Sequence, residues 1–571
     1  MRKTKVVLAK VLTAAMVISS FAGVQGITSE AAAKPKLSKK SVSITVGKTK
    51  KITVKNAKKY KVSWKMKSKK IASFKKSGKY AVKVTAKKAG KTTLTATIKK
   101  GKKTKKLVCK ITVKKNSPKV TKTPVNTPTT SPSNVPKTTE VPTVKPTATA
   151  TAEPQDTTPA MKEIFKGVID NVGTCLTYNQ TWNNRKEMQD VSTMKFVDKN
   201  FNSFTLENEM KPDSMLNKHN MISVADAKAK GYVISDDYKE SEVPELTLET
   251  IDGVLAIAKQ HNIRMRAHTL MWHQQTPTWF FKKNYDDNEA VVDEATMNAR
   301  LEFFVRTIMR HTMQKEKELT GEVGSIVYAW DVLNEYIHRS NAAAATTWVS
   351  VYGDMGLKPT YVKAAFEYAY DELKRENVQD KVTLFYNDYD TYFSVDDELA
   401  LISYINEGEK AKICGGIGMQ SHVDIKRPTL EEYGNALKAF INAGLEVQIT
   451  ELDITINFDT DETDGRTPTY AYKNEKETDA DQAAFTKDFI KQIVDIQKNL
   501  QKNRDKNKSL KGITGITVWG ISDQTSWRGS CKPLFFTRKN VRVKDETTGK
   551  YKTVYTYVPK KSYEAMIEAL K

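Results

Sequence analysis

The sequence predicts two folded parts of different class, a small all-β sandwich followed by a large (β/α)8 barrel. Over residues 34–116, short β-prone runs recur every 8–12 residues, a spacing typical of a sandwich. Over residues 159–571, eight apolar runs alternate with helix-like stretches, which favours a parallel barrel. With 571 residues, the chain is long enough for both.

The first 33 residues read as a secretory signal peptide. A basic start is followed by an apolar stretch over 11–24 and by the small residues Ala31–Ala33, which suit a cleavage site. The apolar stretch is too short to span a membrane, so no membrane association is expected after cleavage. We therefore expect a secreted, extracellular protein, with association with the cell wall left open.

Residues 34–116 form a lysine-rich segment with runs such as SVSITV, YAVKVTA and TTLTATI. Between Lys34 and Lys119 there are 32 lysines and no Asp, Glu or Arg, and subtracting them from the net charge of +27 leaves −5 for the rest. The segment resembles bacterial Ig-like domains of group 2, with Trp64 expected in the core of a central strand. Residues 117–158, rich in Thr, Pro and Ser, read as an extended linker.

The region 159–571 carries the eight apolar runs of the predicted barrel. In chain order they are IDNVGTC, FNSFTLEN, IRMRAHTLMW, IVYAWDVLNE, KVTLFYNDY, ICGGIGMQSH, EVQITELDI and GITGITVWGIS. Between them, stretches such as LETIDGVLAIAKQHN and TYVKAAFEYAYDELKREN have apolar residues three and four positions apart, as amphipathic helices do.

Polar residues gather at the carboxyl ends of these runs, which is the face where barrels of this class hold their active sites. Glu335 and Glu451 each end a buried-looking strand, where an unpaired charge would be costly. Two such carboxylates indicate a pair built for chemistry, and glycoside hydrolysis is the reaction class that most often uses one.

The motifs in this region resemble those of glycoside hydrolase family 10, the β-1,4-xylanases with a TIM barrel. The matching segments, in order, are TLENEMKP (205–212), RAHTLMWH (266–273), WDVLNE (330–335), GIGMQSH (416–422), ITELD (449–453) and VWGISDQTSW (518–527). They span the whole globular region.

The resemblance implies a retaining mechanism, in which one carboxyl is protonated and the other ionised, about 5–5.5 Å apart. Glu451 is expected as nucleophile and Glu335 as general acid and then base, with Asn334 suited to the sugar 2-hydroxyl and His422 orienting Glu451. The residues that match sugar-binding positions of the family are Glu207, Asn208, Lys211, His268, Trp272, Gln275, Gln420, Trp519 and Trp527. Asn387 remains divided between sugar contact and barrel scaffolding.

The implied substrates are xylan and xylo-oligosaccharides, with a β-1,4-glucanase or a dual xylanase/cellulase as the alternative. Bulk that includes Trp527 crowds the C5 hydroxymethyl of glucose in that family, which favours xylan. Residues 217–248 are longer than the family's usual connection at this point and leave the number of subsites open. No metal, cofactor or nucleic acid is expected, and we expect a monomer.

Two roles remain open for the lysine-rich segment. It either binds an anionic cell-wall polymer or acidic xylan, or serves as a solvated spacer domain. The four scattered cysteines, at positions 109, 175, 414 and 531, are expected to be mostly free.

Overall fold

The computed structural model describes most of the chain and separates it into two compact units, Met1–Ala148 and Thr149–Lys571. The described residues are 35–39, 41–46, 48–57, 60–100, 103–114, 157–180, 185–339, 345–457, 477–503, 509–544 and 551–571. The predicted signal peptide and positions 117–156 of the predicted linker lie outside them.

The first unit is a sandwich of two four-stranded sheets. Its strands are β1 (Lys36–Leu37), β2 (Ser41–Thr45), β3 (Thr49–Lys55), β4 (Lys61–Met66), β5 (Ala72–Gly78), β6 (Ala81–Ala86), β7 (Gly90–Lys100) and β8 (Lys103–Lys114). One sheet has the order β1-β3-β6-β5 and the other β2-β8-β7-β4. Alternate residues such as Ile52, Val84 and Leu94 are fully buried and form a core between the sheets.

The second unit contains a closed barrel of eight parallel strands. These are β9 (Asn171–Leu176), β10 (Ser203–Leu206), β13 (Arg264–Trp272), β14 (Val327–Asn334), β15 (Thr383–Asp388), β16 (Gly416–Met419), β18 (Glu446–Thr455) and β19 (Gly512–Val518). Pairing of β16 with β18 and of β19 with β9 closes the ring. All ten residues of β18 are buried, as expected for a strand covered on both faces.

Helices and five further strands complete this unit. The helices are α1 (Met161–Ile164), α2 (Val191–Asn200), α3 (Pro212–Met215), α4 (Val224–Ala229), α5 (Leu248–His261), α6 (Glu294–Thr320), α7 (Ala345–Tyr352), α8 (Thr360–Glu376), α9 (Val395–Ile405), α10 (Leu430–Asn442), α11 (Asp479–Lys502) and α12 (Lys561–Ala569). The further strands are β11 (Leu216–Ser223), β12 (Glu242–Leu246), β17 (His422–Asp424) and the pair β20 (Phe536–Lys544) and β21 (Tyr551–Pro559).

The ends of the long helices follow local capping chemistry. Thr429 and Glu432 form a capping box at the start of α10, in which each side chain bonds the other residue's backbone N–H. Asn262 and Asn377 take left-handed conformations just after α5 and α8, which ends both helices. After these two stops the chain returns to the barrel, where β13 and β15 begin.

The predicted fold class is confirmed, since each of the eight apolar runs supplies one barrel strand. The expectation for Trp64 is wrong in part: β4 is an edge strand, and Trp64 is only partly buried against the core. The four cysteines are free and buried. In the part of the chain that the structure describes, no helix is long and apolar enough to cross a membrane.

Candidate active site

Both glutamates of the predicted pair lie at the carboxyl-terminal face of the barrel. Glu335 directly follows β14, and Glu451 is the sixth residue of β18. The Glu335 amide donates to the carbonyl of Asn387 (2.9 Å), and the Glu451 amide donates to that of Gln420 (2.8 Å). Hydrogen bonds to neighbouring backbone segments therefore fix both backbones, and the two residues are only 7% and 5% exposed.

Glu335 has an unusual backbone for a residue with a side chain, with a φ of 57° in the left-handed region. Such a conformation costs about 1–3 kcal/mol and persists only where the surroundings enforce it. It turns the chain sharply as β14 ends, at the position where the carboxyl group enters the site. We infer that this strained backbone conformation helps to orient the Glu335 side chain into the site.

Glu451 is held ionised by a cationic and amide environment. His422 Nε2 lies 3.2 Å from one carboxylate oxygen, and Asn387 Nδ2 donates to the other at 2.9 Å. Burial pushes the pKa of Glu451 upward. The hydrogen bond and charge of His422, with smaller contributions from His268 and Lys211, outweigh burial and lower this pKa to about 2.

A second acid, Asp453, favours the protonated form of His422. Its Nδ1 lies 2.9 Å from Asp453, which also accepts from Trp527 Nε1 (3.1 Å) and Arg528 Nη1 (3.3 Å). Burial opposes the charged ring, but the charge and hydrogen bond of Asp453, followed by the bond to Glu451, raise the pKa of His422 to about 9. The ring thus carries both protons at neutral pH and donates to both carboxylates.

Glu335 has the opposite electrostatic setting. Burial, the charge of Asp388 and then that of Glu451 raise its pKa to about 7, against the hydrogen bonds of Gln420 and Trp272. Gln420 Nε2 donates to one oxygen at 3.0 Å and Trp272 Nε1 donates to the other at 2.8 Å. The pair therefore has one carboxyl that holds a proton near neutrality and one that stays charged.

Three buried amides connect the two carboxyl groups. Asn387 donates to Asn334 (2.8 Å) as well as to Glu451, and Gln420 donates to Asn334 (3.2 Å) as well as to Glu335. Because the oxygen of Asn334 accepts both bonds, its NH2 group is turned away from these donors. That NH2 is thereby available to a substrate hydroxyl.

A basic and aromatic group lies on the β10 side of the site. The Lys211 ammonium is buried, bonds Asn208 Oδ1 at 3.3 Å, and lies 4.7 Å from the ring centre of Trp272. Glu207 accepts from Arg185 at 2.6 Å. These contacts hold Trp272 and Lys211 beside the two carboxyl groups.

Two tryptophans and His268 form another part of the site. Trp519, 7% exposed, packs edge-on against His268 and His422, with ring centres 5.8 and 6.3 Å apart. Trp527 is 45% exposed and lies edge-on to His422 at 4.9 Å. Trp519 therefore forms part of the wall, whereas Trp527 offers apolar surface at the rim, where a sugar face can pack.

Gln275 bonds an exposed acid rather than either glutamate of the pair. Its amide donates to the exposed carboxylate of Asp213 at 3.3 Å. The preceding residue, Gln274, instead donates to Glu335 at 3.2 Å. Of the other predicted side chains, Trp272 and Gln420 bond Glu335 and His422 bonds Glu451. Glu207, Asn208 and His268 instead bond Arg185, Lys211 and Asp331 respectively.

Sequence reasoning did not assign the roles of three contributors. Asn387, left undecided, is fully buried scaffolding for Glu451, and Gln274 was not considered. Asp388 is also fully buried and bonds Tyr386 and the ring of His338 (2.8 Å). Its negative charge raises the pKa of Glu335. The signal for Asn387 and Asp388 was their place at the end of the fifth apolar run.

Among the described residues, no group of three or more His, Cys, Asp and Glu side chains has the arrangement of a metal site.

Comparison with known proteins places this site in context. The profile described as "Glycosyl hydrolase family 10" matches residues 160–555. Endo-1,4-β-xylanase A of Butyrivibrio fibrisolvens is 40% identical over 356 residues, which cover 62% of this chain and 76% of that protein. Endo-1,4-β-xylanase B of the same organism is 32% identical over 351 residues, covering 60% of this chain but only 47% of that protein.

A solved structure gives a similar result. The N-terminal endo-1,4-β-D-xylanase 10B of Clostridium thermocellum, complexed with xylohexaose, aligns with a TM-score of 0.50 and 26% identity. The alignment covers 72% of this chain and 68% of that one.

Proposed function

This chain belongs to glycosyl hydrolase family 10, and from that premise we propose that it is an endo-β-1,4-xylanase that cleaves internal bonds of xylan with retention of anomeric configuration. The observation that carries the proposal is the contrast between the surroundings of its two buried carboxyl groups: Glu451 is bonded by His422 and Asn387, whereas Glu335 lies near the charge of Asp388. A pKa of about 7 for Glu335 and of about 2 for Glu451 provides one acid and one nucleophile at the same pH.

The reaction then proceeds in two displacements. In the first, Glu451 forms a bond to the anomeric carbon while Glu335 gives its proton to the departing glycosidic oxygen, and the C–O bond breaks. In the second, water attacks the same carbon, Glu335 takes its proton, and the bond to Glu451 breaks. The NH2 group of Asn334 is oriented to bond the sugar 2-hydroxyl beside Glu451.

The roles of the two glutamates are tested by matched substitutions. Glu451→Ala and Glu335→Ala should each lower xylan hydrolysis by several orders of magnitude, whereas Glu431→Gln, an exposed change on α10, should leave it unchanged. NMR of the first-formed reducing sugar should reveal the β-anomer. An initial α-anomer would mean inversion and would remove Glu451 from the nucleophile role.

The choice between xylan and glucan depends on space near Trp527. Reducing-sugar release should be much faster from xylan than from cellulose or mixed-linkage glucan. Trp527→Ala should raise the ratio of glucan to xylan activity, because a hydroxymethyl group would gain room. Equal rates on xylan and glucan for the unchanged protein would favour the alternative, a dual enzyme.

We also propose that the protein is exported, on the strength of the basic and apolar start of the chain. Amino-terminal sequencing of protein from the culture medium should begin close to residue 34. Recovery only from the cell interior, with residues 1–33 intact, would contradict export.

A further inference from the structure

One face of the N-terminal sandwich carries a line of lysines that crosses three strands. In the sheet β1-β3-β6-β5, Lys51 is paired directly with Lys83, and Lys83 with Lys75. All three are exposed, and they alternate along their strands with residues such as Ile52 and Val84 that are buried in the core. Since paired residues of antiparallel strands lie about 5 Å apart, the line is about 10 Å long.

A second line, of hydroxyl groups, runs beside the first. Thr49 is paired with Thr85, and Thr85 with Ser73. Each lies two residues from a lysine of the first line, so both lines are on the same face, about 7 Å apart. We call these six residues the lysine–hydroxyl face.

This arrangement works against the stability of the free unit. Like charges placed directly opposite each other on adjacent strands repel. The sequence between residues 34 and 119 has 32 lysines and no carboxylate side chain, so the segment supplies no acidic side chain of its own to neutralise them. A soluble surface without a partner usually mixes both signs of charge. An anionic ligand would relieve the repulsion.

We propose that the lysine–hydroxyl face binds a linear acidic polysaccharide that carries a carboxylate on successive sugar residues. The spacing of the lysine line, about 5 Å, is similar to the length of one sugar unit and fits closely spaced charges. Isolated uronic-acid side chains on xylan would engage only one lysine at a time. The neighbouring hydroxyl line suits the hydroxyl groups that lie between the carboxylates of such a polymer.

The type of cation and its neighbours disfavour other polyanions. Lysine is a point charge, whereas arginine is the residue that grips phosphate with a two-pronged fork, and this segment has no arginine. Proteins that hold single-stranded nucleic acid add aromatic platforms for the bases. The six residues of the lysine–hydroxyl face are lysine, threonine and serine.

The test measures binding of the full chain to immobilised polygalacturonate. Lys51→Gln, Lys75→Gln and Lys83→Gln are combined in one variant. The matched control combines Lys228→Gln, Lys438→Gln and Lys498→Gln, which remove the same charge from exposed positions of the barrel unit. The unchanged protein should bind, and its affinity should fall by about 20-fold from 50 to 200 mM salt if three lysines are engaged.

The face variant should bind at least ~10-fold more weakly than the unchanged protein, with the control within about twofold. Thermal melting should find the face variant as stable as the unchanged protein or more so. Equal binding by the face variant and the unchanged protein would overturn the proposal. So would equal binding to fully methyl-esterified polygalacturonate, or tighter binding to lipoteichoic acid or to DNA. Since the readout is retention, failure here is distinguishable from failure of the xylanase assignment.

Discussion

The charges of two buried acids, Asp388 and Glu451, raise the pKa of Glu335. After burial, the charge of Asp388 contributes most to its raised pKa, ahead of that of Glu451. In the proposed mechanism, formation of the glycosyl-enzyme would remove the charge of Glu451 and let Glu335 release its proton. Asp388 takes no part in bond formation, so its contribution to the pKa of Glu335 is present in both steps.

Asp388→Asn should therefore move the alkaline limb of kcat/KM to lower pH. Glu335 must be protonated to act as an acid, so activity is lost as pH rises through its pKa of about 7. Without the charge of Asp388 that pKa falls, and the loss begins at lower pH. Asp396→Asn, an exposed acid on α9, is the control. An alkaline limb that stays in place would remove Asp388 from this role.

The second residue-level prediction concerns the acid behind His422. Asp453→Asn removes the largest contribution to the raised pKa of His422, which then loses its charge near neutrality. Glu451 loses a cationic donor, its pKa rises, and we expect kcat to fall on the order of 10²-fold, as when a preorganised donor is lost. The acidic limb of kcat should move to higher pH. A change in KM alone would instead mean that Asp453 acts only by holding Trp527.

At this scale the sequence predicted the type of residue better than its contacts. Glu335 and Glu451 were recognisable because a carboxylate rarely ends a buried strand without a function. Asn387 was not assignable, since its role depends on which strand pairs with β14 and on where Thr450 and Glu451 fall across the barrel. Gln274, rather than the predicted Gln275, bonds Glu335. Which of the two side chains enters the site depends on a turn whose direction the sequence does not specify.

The insertion 217–248 behaves as a folded element rather than as a loop. β11 and β12 pair antiparallel, and α4 lies between them in the chain. The Nε of Arg300, a fully buried residue of α6, donates to the carboxylate of Glu240 in this insertion at 2.7 Å. The backbone amide of Val233 also donates to Thr307 of α6 at 3.0 Å. α6 therefore fixes the insertion at two points.

Glu240→Gln should destabilise the protein by about 1–3 kcal/mol, because the buried guanidinium of Arg300 loses its counter-charge. The estimate is below that for a fully buried pair, since Glu240 is 24% exposed. Glu242→Gln, an exposed position on β12, should change the free energy of unfolding in urea by less than about 0.5 kcal/mol. Equal effects of the two changes would mean that the pair with Arg300 contributes nothing specific.

The contrast between the barrel strands and β11 explains which elements were predictable. Each barrel strand lies within a predominantly apolar run, because both of its faces are covered. β11 contains Asn217 and Asn220, and its pairing with β12 shifts register between Asn217 and Met221. Such a strand has neither an apolar run nor a regular alternation to reveal it. Only the unusual length of this segment was visible in the sequence.

At the scale of the whole molecule, chemistry and charge are divided between the two units. The site residues named above, from Glu207 to Trp527, lie in the unit Thr149–Lys571. The 32 lysines between Lys34 and Lys119, with no Asp, Glu or Arg among them, lie in the unit Met1–Ala148. The rest of the chain carries a net charge of −5. The basic pI of the chain, about 9.5, is therefore due to the lysine-rich segment and not to the unit that holds the candidate active site.

This division predicts that residues 159–571 alone keep the full kcat/KM on soluble xylo-oligosaccharides. Each unit has its own hydrophobic core, so calorimetry of the full chain should resolve two transitions, one of which is absent from the shorter protein. The two proteins should differ on insoluble wall material rich in acidic polysaccharide, where the full chain is retained through its lysines and the shorter one is not. The difference should vanish at high salt, because only the electrostatic contribution is screened. A lower kcat/KM of the shorter protein on soluble substrate would instead mean that the first unit contributes to the site itself.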